Sequence, residues 1–121
     1  MYDELCKNAL EIDPQLRFTG ILNADGELLH ATYKDGVEKL LTSDEIRMSF
    51  HYTLQRRDNV SNLAHKIGNE QSTITKYDKV TLISIPLNEK ELFLLSTEPS
   101  ADYFEIIKKT CSLMKNYSVY V

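Results

Sequence analysis

Residues 80–87, VTLISIPL, and 92–95, LFLL, are two apolar runs of strand length joined through Asn88-Glu89-Lys90 and Glu91. A polar, hairpin-sized connection between β-rich runs reads as two antiparallel strands, here 79–87 and 91–97. Neither run alternates. Val80, Leu82, Ile83 and Ile85 in the first, and Leu92 to Leu95 in the second, put apolar groups on both faces of the pleat. Such a strand is covered on both faces, or covered on one and used as an interface on the other. Leu82, Ile85, Phe93 and Leu95 are expected to include core positions.

The rest of the chain has to supply the cover. Residues 2–12 place Leu5, Ala9, Leu10 and Ile12 at helical spacing, with Asp3 and Glu4 in the first turn, where the helix dipole favours acids. Asp13-Pro14 ends that helix, because a residue before proline avoids helical geometry. In the stretch RFTGILNADGELLHA, strands over 16–22 and 27–34 flank a turn whose Asp25-Gly26 supplies positive φ. VEKLL at 37–41 reads as a short amphipathic piece. Thr42-Ser43-Asp44-Glu45 is then a capping box. The helix behind it carries Ile46, Phe50 and Leu54 in steps of four, and helical spacing resumes through Val60, Leu63, Ala64 and Ile67 to a Gly68-Asn69 cap, as one helix or as two separated at Asp58-Asn59. STITKYD at 72–78 is a third strand ahead of the apolar hairpin. Residues 101–115 are a closing helix with Tyr103, Ile106, Ile107, Thr110, Cys111 and Met114 on one side. The tail NYSVYV reads as a last strand or a loose end.

The chain of 121 residues is expected to form one domain, 1–121, able to bury a core without disulfides or metal. A net charge of −4 and a pI near 5.3 leave no broad basic face for nucleic acid or anionic lipid. Cys6 and Cys111 stand in no metal or redox spacing and read as buried thiols of a reducing cytosol. The opening MYDELCKNALEID has no signal-peptide pattern, and no run reaches membrane-spanning length, so a cytoplasmic protein without membrane insertion is expected.

The element order is α-β-β-α-β-β-β-α. With this order and the segment GILNADGELL at 20–29, the chain resembles the Roadblock family, the dynein light-chain-like branch of the profilin-like and longin-like superfamily. That resemblance implies an α+β fold. A five-stranded antiparallel sheet would carry the first and last helices on one face and the central helix on the other. It also implies a homodimeric platform for a partner protein, in the family typically a small GTPase or a larger scaffold. The central region 43–67 departs from common members in being long and charged at Arg56-Arg57-Asp58. The R-F-x-G-I opening at Arg17 to Ile21 is also similar to that of small archaeal proteins, a likeness that brings no activity with it.

No catalytic, cofactor or metal site emerges. His30, His51 and His65 lack helical ligand spacing and a completing Cys or acid. No serine sits in a G-x-S-x-G elbow, and there is neither a P-loop nor a dinucleotide loop. Tyr77 and Lys79 suit a pocket wall, but tyrosine is an ordinary strand residue. Arg56 and Arg57 fit a solvated helix face or a contact to an anion or acidic partner, since guanidinium forks match carboxylates. Seven tyrosines and doubly apolar strands exceed the needs of one small core, and a leftover apolar patch marks an interface. Met48, Tyr52 and Gln55 remain once Ile46, Phe50 and Leu54 turn inward. They are the expected dimer contacts, made by helix 43–58, strand 72–78 or both. The reading is a non-catalytic interaction module. Its alternative is a small-molecule sensor of PAS-like, profilin-like fold.

Overall fold

The computed structural model of the chain describes residues 1–60 and 63–117. Its elements are α1 (Tyr2–Leu10), β1 (Leu16–Asn23), β2 (Leu28–Tyr33), α2 (Ser43–Ser49), α3 (His51–Val60), α4 (Ala64–Ile67), β3 (Thr73–Lys76), β4 (Thr81–Pro86), β5 (Glu91–Thr97) and α5 (Tyr103–Asn116). The five strands form one sheet in the order β2-β1-β5-β4-β3, and every pair described in it is antiparallel. The fold is the expected α+β arrangement, with the apolar hairpin β4–β5 inside the sheet.

Both faces of that hairpin are covered within the chain. Phe93, Leu95, Ile83 and Ile85 pack with Leu5, Cys6, Ala9 and Leu10 of α1 and Ile106 of α5. Leu92, Leu94 and Leu82 point the other way and pack with Ile46 and Phe50 of the α2–α3 layer. Of the two arrangements open to a doubly apolar strand, the chain adopts the one covered on both sides. Apolar density in β4 and β5 is thus consumed by the core, and surplus apolar surface has to be sought elsewhere.

A bulge tunes this layering. Leu16 pairs with Thr97 and Phe18 with Ser96, so Arg17 is the extra residue. The shift sends Leu16 to the α1–α5 core and Phe18 to the other face, where its ring lies 5.1 Å from Tyr33. Arg17 itself bonds Glu98 and donates to the Glu38 carbonyl at 2.8 Å. Gly26, Gly36 and Gly68 hold φ of 83°, 80° and 86°, the left-handed values that glycine accepts without strain.

Two expectations need correction. The central helix breaks at Phe50, between α2 and α3, where the Ser49 hydroxyl donates to the Ile46 carbonyl and the Phe50 amide falls back to Arg47. The Ser49 hydroxyl thus competes for a helical carbonyl, which weakens and bends a helix at that point. The capping box at Thr42 and Glu45 is formed as expected. The amphipathic piece 37–41 is an irregular strap, with Leu41 packed inward and Leu40 exposed. Leu63 and Ile67 are 42% and 79% exposed rather than core, because α4 lies clear of the sheet. The tail 118–121 lies outside the described residues.

The β4–β5 turn is held from both sides of the sheet. On the α1 side the Tyr2 hydroxyl donates to the Glu91 carboxylate, which also accepts from the Asn88 amide at 2.7 Å. On the α3 side Arg57 donates to the Asn88 carbonyl at 3.2 Å. The bond to Glu91, together with burial and the carboxylate's charge, pushes the Tyr2 phenol from 10.0 up to about 12. In the unfolded chain it ionises near pH 10.0, so its contribution to stability is whole below that pH and is lost as pH rises toward 12. A loss of stability between pH 10 and 12 that is smaller in Tyr2→Phe, read by urea denaturation at stepped pH, is the expected result.

Candidate interaction surface

The α2–α3 layer turns one side to the sheet and leaves the other bare. Ile46 and Phe50 are buried and Leu54 packs at the margin of the same core. That geometry exposes Met48 at 71%, Tyr52 at 78% and, one turn on, Gln55. The ring of His51 stands edge-on to Tyr52, with centroids 5.4 Å apart. These side chains interrupt no internal contact, and they lie on the side of α2–α3 that sequence spacing leaves over.

The sheet edge next to this layer is β3. A hydrogen bond from the Tyr77 amide to the Val80 carbonyl closes the β3–β4 hairpin at 2.9 Å. In the alternating antiparallel pattern Thr73 and Thr75 then spend their backbone groups on β4, while Ile74 and Lys76 direct theirs outward. Arg56 joins α3 to this edge. Its guanidinium pairs with Glu70 and donates to the Thr73 hydroxyl at 2.8 Å. Arg56 and Arg57, read from the sequence as anion or partner contacts, are thus both engaged within the chain, where they fix α3 over β3 and the β4–β5 turn. Sequence spacing held no sign of this, since their partners are 14 and 31 residues away.

Between the strap 37–41, α2 and the sheet lies an apolar cleft of about 50 Å3, walled by Phe18, Tyr33, Leu41, Phe50 and Leu82. Arg17 on Glu38 and Lys39 over the Tyr33 ring, 4.5 Å from its centroid, hold the strap down. Tyr77 is exposed at the β3–β4 turn and Lys79 is exposed beside it. Among the described residues no three His, Cys, Asp or Glu side chains gather as a metal site, and no helix is long and apolar enough to cross a membrane.

Residues 1–117 match the model of a family of unknown function, DUF6659. The chain belongs to that family. None of the curated proteins matches it. Solved structures share the fold of this DUF6659 member at low identity. A Roadblock/LC7 domain from Streptomyces avermitilis is similar with a TM-score of 0.69 and 13% identity, over 94% of this chain and 92% of that one. An MglB with a tetrameric arrangement gives 0.74 and 14%, over 95% and 85%. Profilin II from Acanthamoeba castellanii gives 0.62 and 9%, over 97% and 96%. The fold is therefore Roadblock-like and profilin-like.

Proposed function

We propose that the protein is a non-catalytic interaction module that works as a homodimer. The observation that carries this reading is the bare outer side of α2–α3, Met48, Tyr52 and Gln55, on a layer whose α3 end Arg56 ties to the edge strand β3. Exposed large apolar groups next to free backbone donors and acceptors are what a second copy can cover. Two β3 edges pair about a two-fold axis. An axis at Ile74 sets that residue against its own copy and Lys76 opposite Ser72. An axis at Lys76 would place two ammonium groups side by side, which is unfavourable. The α2–α3 faces then meet on one side of the joined sheets.

The dimer is read as a platform for a partner protein, such as a small GTPase or a scaffold, by similarity to Roadblock domains. Arg56 and Arg57 lie at the end of the same face. The guanidinium N–H groups not used by Glu70, Thr73 and Asn88 suit an acidic partner surface. The likeness to a tetrameric MglB supports an assembly-forming role. The cleft under the strap, at about 50 Å3, does not itself offer the sensor alternative a pocket, since a ligand site needs roughly 300 Å3 or more.

Sedimentation velocity at micromolar concentration tests the reading. The expected result is a species of twice 14.0 kDa that Tyr52→Glu converts to monomer with its circular dichroism unchanged. A 14.0 kDa species that Tyr52→Glu leaves as it is would refute it.

A further inference from the structure

On the opposite side of the sheet from the strap, at the end of β4, lies a groove of about 310 Å3 lined by Ile85, Leu87 and Met114, with Glu70, Gln71 and Lys115 as its polar members. Its size reaches the lower end of small-ligand sites, at roughly 300 Å3. One wall carries an anomaly. Glu70 gives one carboxylate oxygen, Oε1, to Arg56, while Oε2 has neither solvent contact nor a hydrogen-bond partner among the described residues. A carboxylate oxygen shut away from water costs free energy unless a donor is supplied.

We propose that the missing donor belongs to a ligand, and that this groove binds a small molecule bearing an ammonium group on a short apolar body. The ammonium donates to Glu70 Oε2 and the hydrocarbon lies against Ile85, Leu87 and Met114. The Glu70 side chain keeps 21% of its surface exposed, and its terminal torsion is soft, so a small rotation presents Oε2 to the groove. An acid is disfavoured by the same carboxylate. The volume limits the body to a few carbons. Free amines and apolar α-amino acids share this chemistry, and Lys115, exposed at the groove, distinguishes them by offering a partner to the carboxylate of the latter.

Methionine methyl labelling gives the readout, because the chain has three methionines and only Met114 lines this groove. Met1 and Met48 are exposed and outside the groove lining, so Met1 serves as an internal control while Met48, on the proposed α2–α3 interface, reports separately on assembly. Titrating the whole protein with isoamylamine and with leucine at millimolar concentration should shift and saturate the Met114 signal with at least one of them. Isovaleric acid, equal in shape and opposite in charge, should leave it in place. Glu70→Gln should abolish the shift while the Met114 signal stays dispersed. If that variant unfolds through loss of the Arg56 pair, the contrast between amine and acid on the unaltered chain decides. An equal response to isovaleric acid, or no response to either ammonium compound, overturns the proposal.

Discussion

Phe93→Ala is expected to destabilise the protein by about 3–5 kcal/mol, the range for removing an aromatic ring from a packed core. Phe93 is fully buried in β5, paired in register with Ile21 of β1 and Ile85 of β4, and its ring packs in the layer that α1 and α5 close. Its neighbours belong to four elements, so none can move in to refill the space without disturbing another. Domains of this size have about 5–15 kcal/mol of stability in all, so the variant sits near the limit of folding. Urea denaturation should show a lowered midpoint with an unchanged slope. A cost below about 1 kcal/mol would mean that the α1–α5 layer is not packed as described.

Gly20→Ala is the second large effect, about 1–3 kcal/mol, and its cause is crowding rather than a void. A β-carbon at Gly20 would lie 2.6 Å from Cζ of Phe18 and 2.9 Å from the His30 carbonyl oxygen. The Phe18 ring can turn aside only by leaving Tyr33. The carbonyl belongs to the backbone of β2, and it yields only if the edge strand shifts away from β1. Near-ultraviolet circular dichroism of the variant should lose aromatic signal along with stability. Phe18→Leu in the same chain should recover only the part due to the ring.

The parts of this architecture legible in the sequence are those decided over a few neighbouring residues. Thr42 and Glu45 cap α2 because the box is complete within four positions. Gly26 and Gly68 take the positive φ that their turns demand. Ile46, Phe50 and Leu54 face inward because their spacing follows the helical period. What stayed hidden depends on groups far apart in the chain. The bulge at Arg17 sets its guanidinium on Glu98 and the Glu38 carbonyl, partners far from it in the chain. Arg56 and Arg57 look like free cations until the fold brings Glu70, Thr73 and Asn88 to them. Leu63 and Ile67 carry a core-like spacing, yet no sheet lies beneath α4. The exposure of Met48, Tyr52 and Gln55 follows from their spacing against Ile46, Phe50 and Leu54, but one ground first given for an interface, surplus apolar strands, dissolves once both faces of β4 and β5 are seen to be covered.

The position of β5 at the centre of the sheet also sets an order of events during folding. β1–β2 is a local hairpin, and β3, β4 and β5 follow one another as a meander, so each block can form from residues close in sequence. Only the pairing of β1 with β5, running from Asn23 with Glu91 to Leu16 with Thr97, joins the blocks. It closes a loop over residues 23–91, including the entire α2–α4 region, and the entropy of that closure falls on a single strand contact. Non-local pairing of this kind is the slow kind. The seam between β1 and β5 is thus the natural bottleneck, and on the ribosome it waits until residue 97 has emerged.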